Sequence, residues 1–311
     1  MRDPPARMLS ISTCWNSARH SDGAAMLEEL LEFGFDRVEL GHGIRISLMQ
    51  GIQEMFDKGR VQFSSLHNFC PLPVEVLQAS PDCLLFSSHR EAERDRAVRQ
   101  TLQTLDFAAR LGAPNVVLHC GRVMMPPVTD ELIEMALAGG HLSAEYARLK
   151  TRAVQQREKI APKFVERLKD CLKRIVEHAE KKGIRLGLES RQAYEEIPSE
   201  REFEELLDAF PSPTVGYWHD IGHTQIRHNL GFVDHAEWLA KVSPRLIGCH
   251  LHDVIWPQRD HQAPFTGGSV NYDKLIPLLP KETLFVWEMG PNRTREEIAE
   301  SLRLWKERFG K

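Results

Sequence analysis

No run of about 18 consecutive apolar residues, the length a spanning helix needs, occurs in the 311 residues. Nothing in the chain therefore reads as a transmembrane helix. The start, Met1 to Arg7, is polar and proline-rich and lacks the apolar centre of a secretory leader, so a cytoplasmic location is expected. Six cysteines (Cys14, Cys70, Cys83, Cys120, Cys171, Cys249) include no Cys-x-x-Cys pair, which argues against a zinc ribbon or a thioredoxin-like motif. They are expected to be buried thiols in a reducing compartment. Basic charge is not in excess either: 40 Lys and Arg face 44 Asp and Glu, for a net charge of −4. That balance leaves no cationic footprint for nucleic acid or an anionic membrane. Low-complexity tracts and fixed-period repeats are also absent.

What is present is a 42% apolar chain long enough for one large core, expected as a single domain over 1–311. Short β-branched or apolar runs alternate with stretches of helical period. The runs are Met8 to Trp15, Arg37 to Gly41, Gln62 to His67, Asn115 to His119, Arg185 to Glu189, Val215 to Asp220, Leu246 to His252 and Leu284 to Glu288. Helices are expected near 22–34, 45–59, 87–111, 143–182, 199–209, 233–242, 271–278 and 294–308. Eight strands alternating with eight helices predict an α/β fold, the (β/α)8 TIM barrel. Ser199 with Glu202 and Thr294 with Glu297 have capping-box spacing, and Gly34, Gly112 and Gly183 stand where helices should stop. The segment 121–162 is longer than a barrel requires and is expected as an extended loop and helical insertion, either a lid or an embellishment.

In such a barrel the strand ends converge on one mouth. Glu189, Asp220, His250 and Glu288 each end an apolar run. Buried carboxylate and imidazole need a compensating partner, and a divalent cation is the simplest. Three carboxylates and one imidazole suit Mn, Mg or Co. Adding His67, His119 and His223 would favour Zn and a multinuclear site. His42, His219 and His252 are expected to support the site or touch substrate, and His20, His89, His141, His178, His228 and His235 to be solvated.

With these residues in view, the chain resembles the xylose isomerase-like TIM barrel superfamily, its sugar isomerase/epimerase branch above all, with inosose dehydratases and the family 2 apurinic endonucleases as relations. The likeness rests on Val38-Glu39-Leu40-Gly41, Leu188-Glu189-Ser190-Arg191, His219-Asp220-Ile221-Gly222-His223 and His250-Leu251-His252-Asp253, with Glu288 completing the pattern. It implies one divalent metal held by Glu189, Asp220, His250 and Glu288. His223 would touch substrate or join a further metal. The implied reaction is isomerisation or epimerisation of a sugar or polyol through an enediolate, with Glu189 and Glu288 exchanging the proton. Arg191 would orient hydroxyls or pair with Glu195 or Glu196, and Glu39 and Trp15 would line the wall. The alternatives are a zinc-dependent phosphodiesterase of the apurinic endonuclease kind using His67 and His119, an inosose-type dehydratase, and a non-catalytic binding barrel. Against the nuclease, Arg259 stands before Asp260 and His261 where an Asp is expected, and Phe265 replaces a Gly. Expected partners are a small sugar or polyol, with neither membrane nor nucleic acid; a homo-oligomer is compatible.

Overall fold

In a computed structural model, which describes residues 7–35 and 37–310, the apolar runs pair through parallel ladders that close on themselves. The polar start, Met1 to Ala6, lies outside the described residues, as do Asp36 and Lys311. The strands are β1 (Met8–Ser12), β2 (Arg37–Leu40), β3 (Gln62–His67), β4 (Asn115–Leu118), β5 (Arg185–Glu189), β6 (Val215–Asp220) and β7 (Leu246–Leu251), then β8 (Asp253–Ile255), β9 (Arg259–Gln262) and β10 (Leu284–Trp287). Around the barrel the order is β1-β10-β7-β6-β5-β4-β3-β2, and β8 with β9 forms a separate antiparallel hairpin at its mouth. The expected (β/α)8 barrel is the observed one.

Helices α1 (Gly23–Leu31), α2 (Met49–Asp57), α3 (Glu91–Arg110), α4 (Val128–Leu137), α5 (Ala144–Ile160), α6 (Pro162–Lys182), α7 (Glu200–Ala209), α8 (Ile221–Asn229), α9 (His235–Val242), α10 (Tyr272–Leu275) and α11 (Arg295–Phe309) follow. Both expected capping boxes form, at the starts of α7 and α11. The single helix expected near 143–182 is two. Pro162 lacks an N–H and sits at the first position of α6, where its fixed φ starts a helix but cannot continue one. Helix α6 stops at Gly183, whose φ of 67° costs a glycine little. The run expected to reach Trp15 ends at Ser12, because Thr13–Trp15 wind into a 3₁₀ turn.

Inside the barrel, Val117, Trp218, Ile247, Leu284 and Val286 form a buried plug below the mouth. The Trp218 indole fits because glycines leave it room on both sides: Gly248 is its partner in β7, Gly187 stands two residues before its β5 partner Glu189, and a Cβ on Gly187 or Gly248 would come within 2.8 Å or 2.5 Å of the ring. Segment 121–162 packs on the flank, with Tyr146 donating to Leu230 O and Arg157 bridging to Tyr194, Glu196 and Glu202. Among the described residues no helix is long and apolar enough to cross a membrane. All six cysteines are free; four are buried as expected, but Cys14 and Cys83 are only half-buried.

Candidate metal centre

Strand register brings Glu189, Asp220, His250 and Glu288 together, as expected. Asp220 pairs across from His250, and His250 from Val286, two residues before Glu288. The first three are fully buried and Glu288 nearly so. One donor atom from each lies within 4.8 Å of the others. Nδ1 of His250 stands 2.9 Å from Glu189 Oε1, 3.0 Å from Glu288 Oε2 and 3.7 Å from Asp220 Oδ2. Its other nitrogen is 3.1 Å from both carboxylate oxygens of Glu39, which also accepts from Ser65 Oγ at 2.7 Å. Glu39 is therefore not the wall contact expected: it lies fully buried behind His250 and takes its Nε2–H. Trp15 is not a wall either, since its indole is buried and donates to Arg293 O.

The charge balance bears on whether a cation fits. Burial works against every charge here, yet His119 and His250, where they carry a proton, hold Glu189 well below the usual carboxylate range, and a protonated His250 pulls Glu288 down to about 2. Burial likewise opposes the His250 imidazolium, but Glu288, Glu39 and Glu189 outweigh it and raise its pKa well above the ordinary value. Three buried carboxylates thus demand one positive charge at the Nδ1 position. A proton on His250 or a divalent cation supplies it, and the donor set fits the cation.

Asp220 also caps α8, accepting from His223 N at 2.7 Å. His252 donates Nε2–H to Asp220 Oδ1 at 2.9 Å, while its Nδ1 accepts from His261 N. This ring occupies the space left by Gly222, where a Cβ would approach to 2.0 Å. His252 is thus buried behind Asp220. His223 turns Nδ1 onto Ser190 O at 3.1 Å and lines the cavity.

On the other side, His67 Nε2 and His119 Nε2 lie 3.2 and 2.8 Å from the same oxygen of Glu189. Arg191 Nη1 approaches His119 Nε2 at 2.6 Å, and Arg191 Nη2 reaches Glu196 Oε1 at 2.8 Å and Asp82 Oδ2 at 3.3 Å. The Arg191 pair is buried rather than superficial, and Glu195 is not part of it: Glu195 accepts from Thr129. His42 lines the same cavity, its pKa driven down to about 3 by burial and by His67. The cavity measures about 550 Å³; Leu72, Leu77, Ala79, Pro81 and Asp82 wall it from the loop before α3. No residue of 121–162 is among its described walls.

Three residues escaped the sequence reading. Asp82 holds His119 Nδ1 at 3.1 Å from an irregular loop with no periodicity to read. Asp260 Oδ2 stands 3.9 Å from Nε2 of both His223 and His261, so a carboxylate faces those rings although position 259 is Arg. His235, expected to be solvated, is buried against His219. Of the other five, His89, His141 and His228 are exposed, while His20 and His178 are half-buried beside Glu29 and Asp106.

Comparison with known proteins agrees with this architecture. An uncharacterized protein of Sinorhizobium fredii, y4fM, is 27% identical over 182 residues, 58% of this chain and 48% of its own. The chain thus spans about half the length of that curated relative. Among solved structures, a D-tagatose 3-epimerase-like protein superposes with a TM-score of 0.68 at 20% identity, covering 96% of both chains. The IOLI protein, solved with a zinc atom, gives 0.65 at 14% identity over 96% of this chain and 95% of its own. The model of the xylose isomerase-like TIM barrel matches residues 27–308, and with the closed parallel barrel in place the chain belongs to that family.

Proposed function

We propose that the chain is a divalent-metal-dependent isomerase or epimerase that acts on a sugar or polyol through an enediolate, with Mn, Mg or Co as its cation. His250 carries this reading: Glu39 takes its Nε2–H, which leaves the Nδ1 lone pair facing three buried carboxylates. Such an oxygen-rich set suits a hard divalent ion. A cation held by Glu189, Asp220, His250 and Glu288 would polarise a substrate carbonyl and acidify the adjacent C–H. Glu189 and Glu288 are kept as carboxylates, the form that accepts a proton, and each stands about 3 Å from the same nitrogen. One removes the proton and the other returns it. Arg191 and His223 face the cavity and orient hydroxyls. The similarity to a D-tagatose 3-epimerase-like protein supports a sugar substrate, and the zinc of the IOLI protein supports a metal.

Phosphodiester hydrolysis at abasic DNA is the rival, favoured by the His67, His119 and Glu189 cluster and by Asp260 between His223 and His261. The two separate in heavy water. With Mn²⁺ and a panel of ketoses, NMR should show deuterium entering the carbon beside the carbonyl and the epimer appearing, and Glu288→Gln should slow both by roughly 10²–10⁴-fold. Failure to exchange any ketose, together with zinc-dependent nicking of an abasic duplex, would replace this reading with the rival.

A further inference from the structure

His67 and His119 present an unusual pair. Each ring's Nδ1 faces an acceptor, Asn68 O at 3.0 Å and Asp82 Oδ1 at 3.1 Å, so each Nδ1 carries the hydrogen. Both Nε2 lone pairs then point at one oxygen of Glu189, and the three atoms form a second group with metal-ligand spacing. Two lone pairs and a carboxylate oxygen repel one another unless positive charge stands among them.

That charge is already in the chain. We infer that Arg191 is a built-in second cation, whose guanidinium takes the lone pair of His119 that a second divalent ion would need and so keeps this side of the site free of metal. A ring nitrogen has one lone pair, and Arg191 Nη1–H uses it at 2.6 Å. Arginine does not lose its proton in a protein. It is also pinned: Nε and Nη2 donate to Glu196 Oε1 at 3.2 and 2.8 Å, and Nη2 reaches Asp82 Oδ2 at 3.3 Å. Asp82 therefore bridges Arg191 and His119, fixing both the guanidinium and the tautomer of the ring. Only 5% of the Arg191 surface is exposed, and swinging out would break its pairs with the half-buried Glu196 and Asp82.

The chemical consequence is selective. A pair of metals clamps the attacking and leaving oxygens of a phosphodiester, whereas a single metal suffices to acidify a C–H beside a carbonyl. Arg191 thus separates the two chemistries that this set of ligands could host. The inference rests on the reading of Glu189, Asp220, His250 and Glu288 as a metal site, and metal counting tests the two apart.

The full-length protein is stripped with chelator, reloaded with excess Zn²⁺, freed of unbound ion by gel filtration and assayed for zinc per chain. Arg191→Met should gain one zinc over the wild type, and the double variant Arg191→Met with His119→Ala should lose that gain. In the otherwise unchanged chain, His119→Ala should leave the zinc count as it is, because His119 is no ligand there. A folded Arg191→Met with no extra zinc overturns the inference, as does loss of a zinc from His119→Ala. If Arg191→Met fails to fold, the His119→Ala count decides alone. A wild type that binds no zinc strikes the metal-site reading itself and this inference with it.

Discussion

The imidazole of His250 can face a cation with only one nitrogen, and Glu39 decides which. With Nε2–H held by a buried carboxylate, Nδ1 is left as the lone pair and the ring gains basicity. Glu39→Gln preserves shape but removes the negative charge behind the ring. Mn²⁺ affinity measured by calorimetry should fall about 10–100-fold, with the circular dichroism spectrum unchanged. An unaltered affinity would mean that Glu39 only packs. At this scale the sequence is informative where chemistry coincides with a strand end, as at Glu189, Asp220, His250 and Glu288. It says less about depth. Glu39 stands inside the run Arg37 to Gly41, and alternation gives the face it takes, not that it lies behind a ligand rather than beside substrate.

Among elements, α7 shows how the flank steadies the site. Its capping box pairs Ser199 with Glu202, and Glu202 also accepts from Arg157 of α5 at 2.6 and 2.8 Å. Arg157 donates to Glu196 O as well, and Glu196 is the partner of Arg191. Helix α5, in the segment expected as a lid or an embellishment, therefore reaches the cavity through a hydrogen bond to the Glu196 carbonyl and one ion pair. Arg157→Met leaves a buried carboxylate unpaired and should cost about 3–5 kcal/mol. Ser199→Ala removes one cap bond and should cost about 1 kcal/mol. Urea midpoints should fall in that order, and equal midpoints would contradict the burial argument. Helices with a stripe or a cap, such as α7 and α11, were legible. Helix α8 was not, because Ile221 and Ile226 are its only large apolar residues and leave no stripe to mark the period, although Ile221 to Arg227 are all buried. The β8–β9 hairpin escaped as well, since its strands of three and four residues follow β7 with only His252 between.

Across the whole molecule, one chain of hydrogen bonds links barrel, helices and hairpin, and its directions can be worked out. Gln225 donates to Asn229 Oδ1, so its carbonyl accepts from His235 Nδ1–H at 2.9 Å. His235 Nε2 must then accept from His219 Nε2–H at 3.1 Å, and His219 Nδ1 from the Tyr217 hydroxyl at 2.9 Å. Trp238 Nε1–H feeds Tyr217, and Asn229 donates to Pro257 O between β8 and β9. The relay works only while both imidazoles are neutral, because a proton on either would set two N–H groups against each other. Burial accordingly lowers His219 to about 3 and His235 well below its ordinary value of 6.5. The unfolded chain takes up these protons below pH 6.5 while the folded chain refuses them. Their contribution to stability is thus intact above 6.5 and is lost as pH falls below it. The melting temperature should therefore decline on acidification from pH 6.5 to 4.5. In His235→Gln, which carries one fewer buried imidazole, that acid slope should be shallower than in the wild type, and an identical slope would show that the relay does not resist protonation.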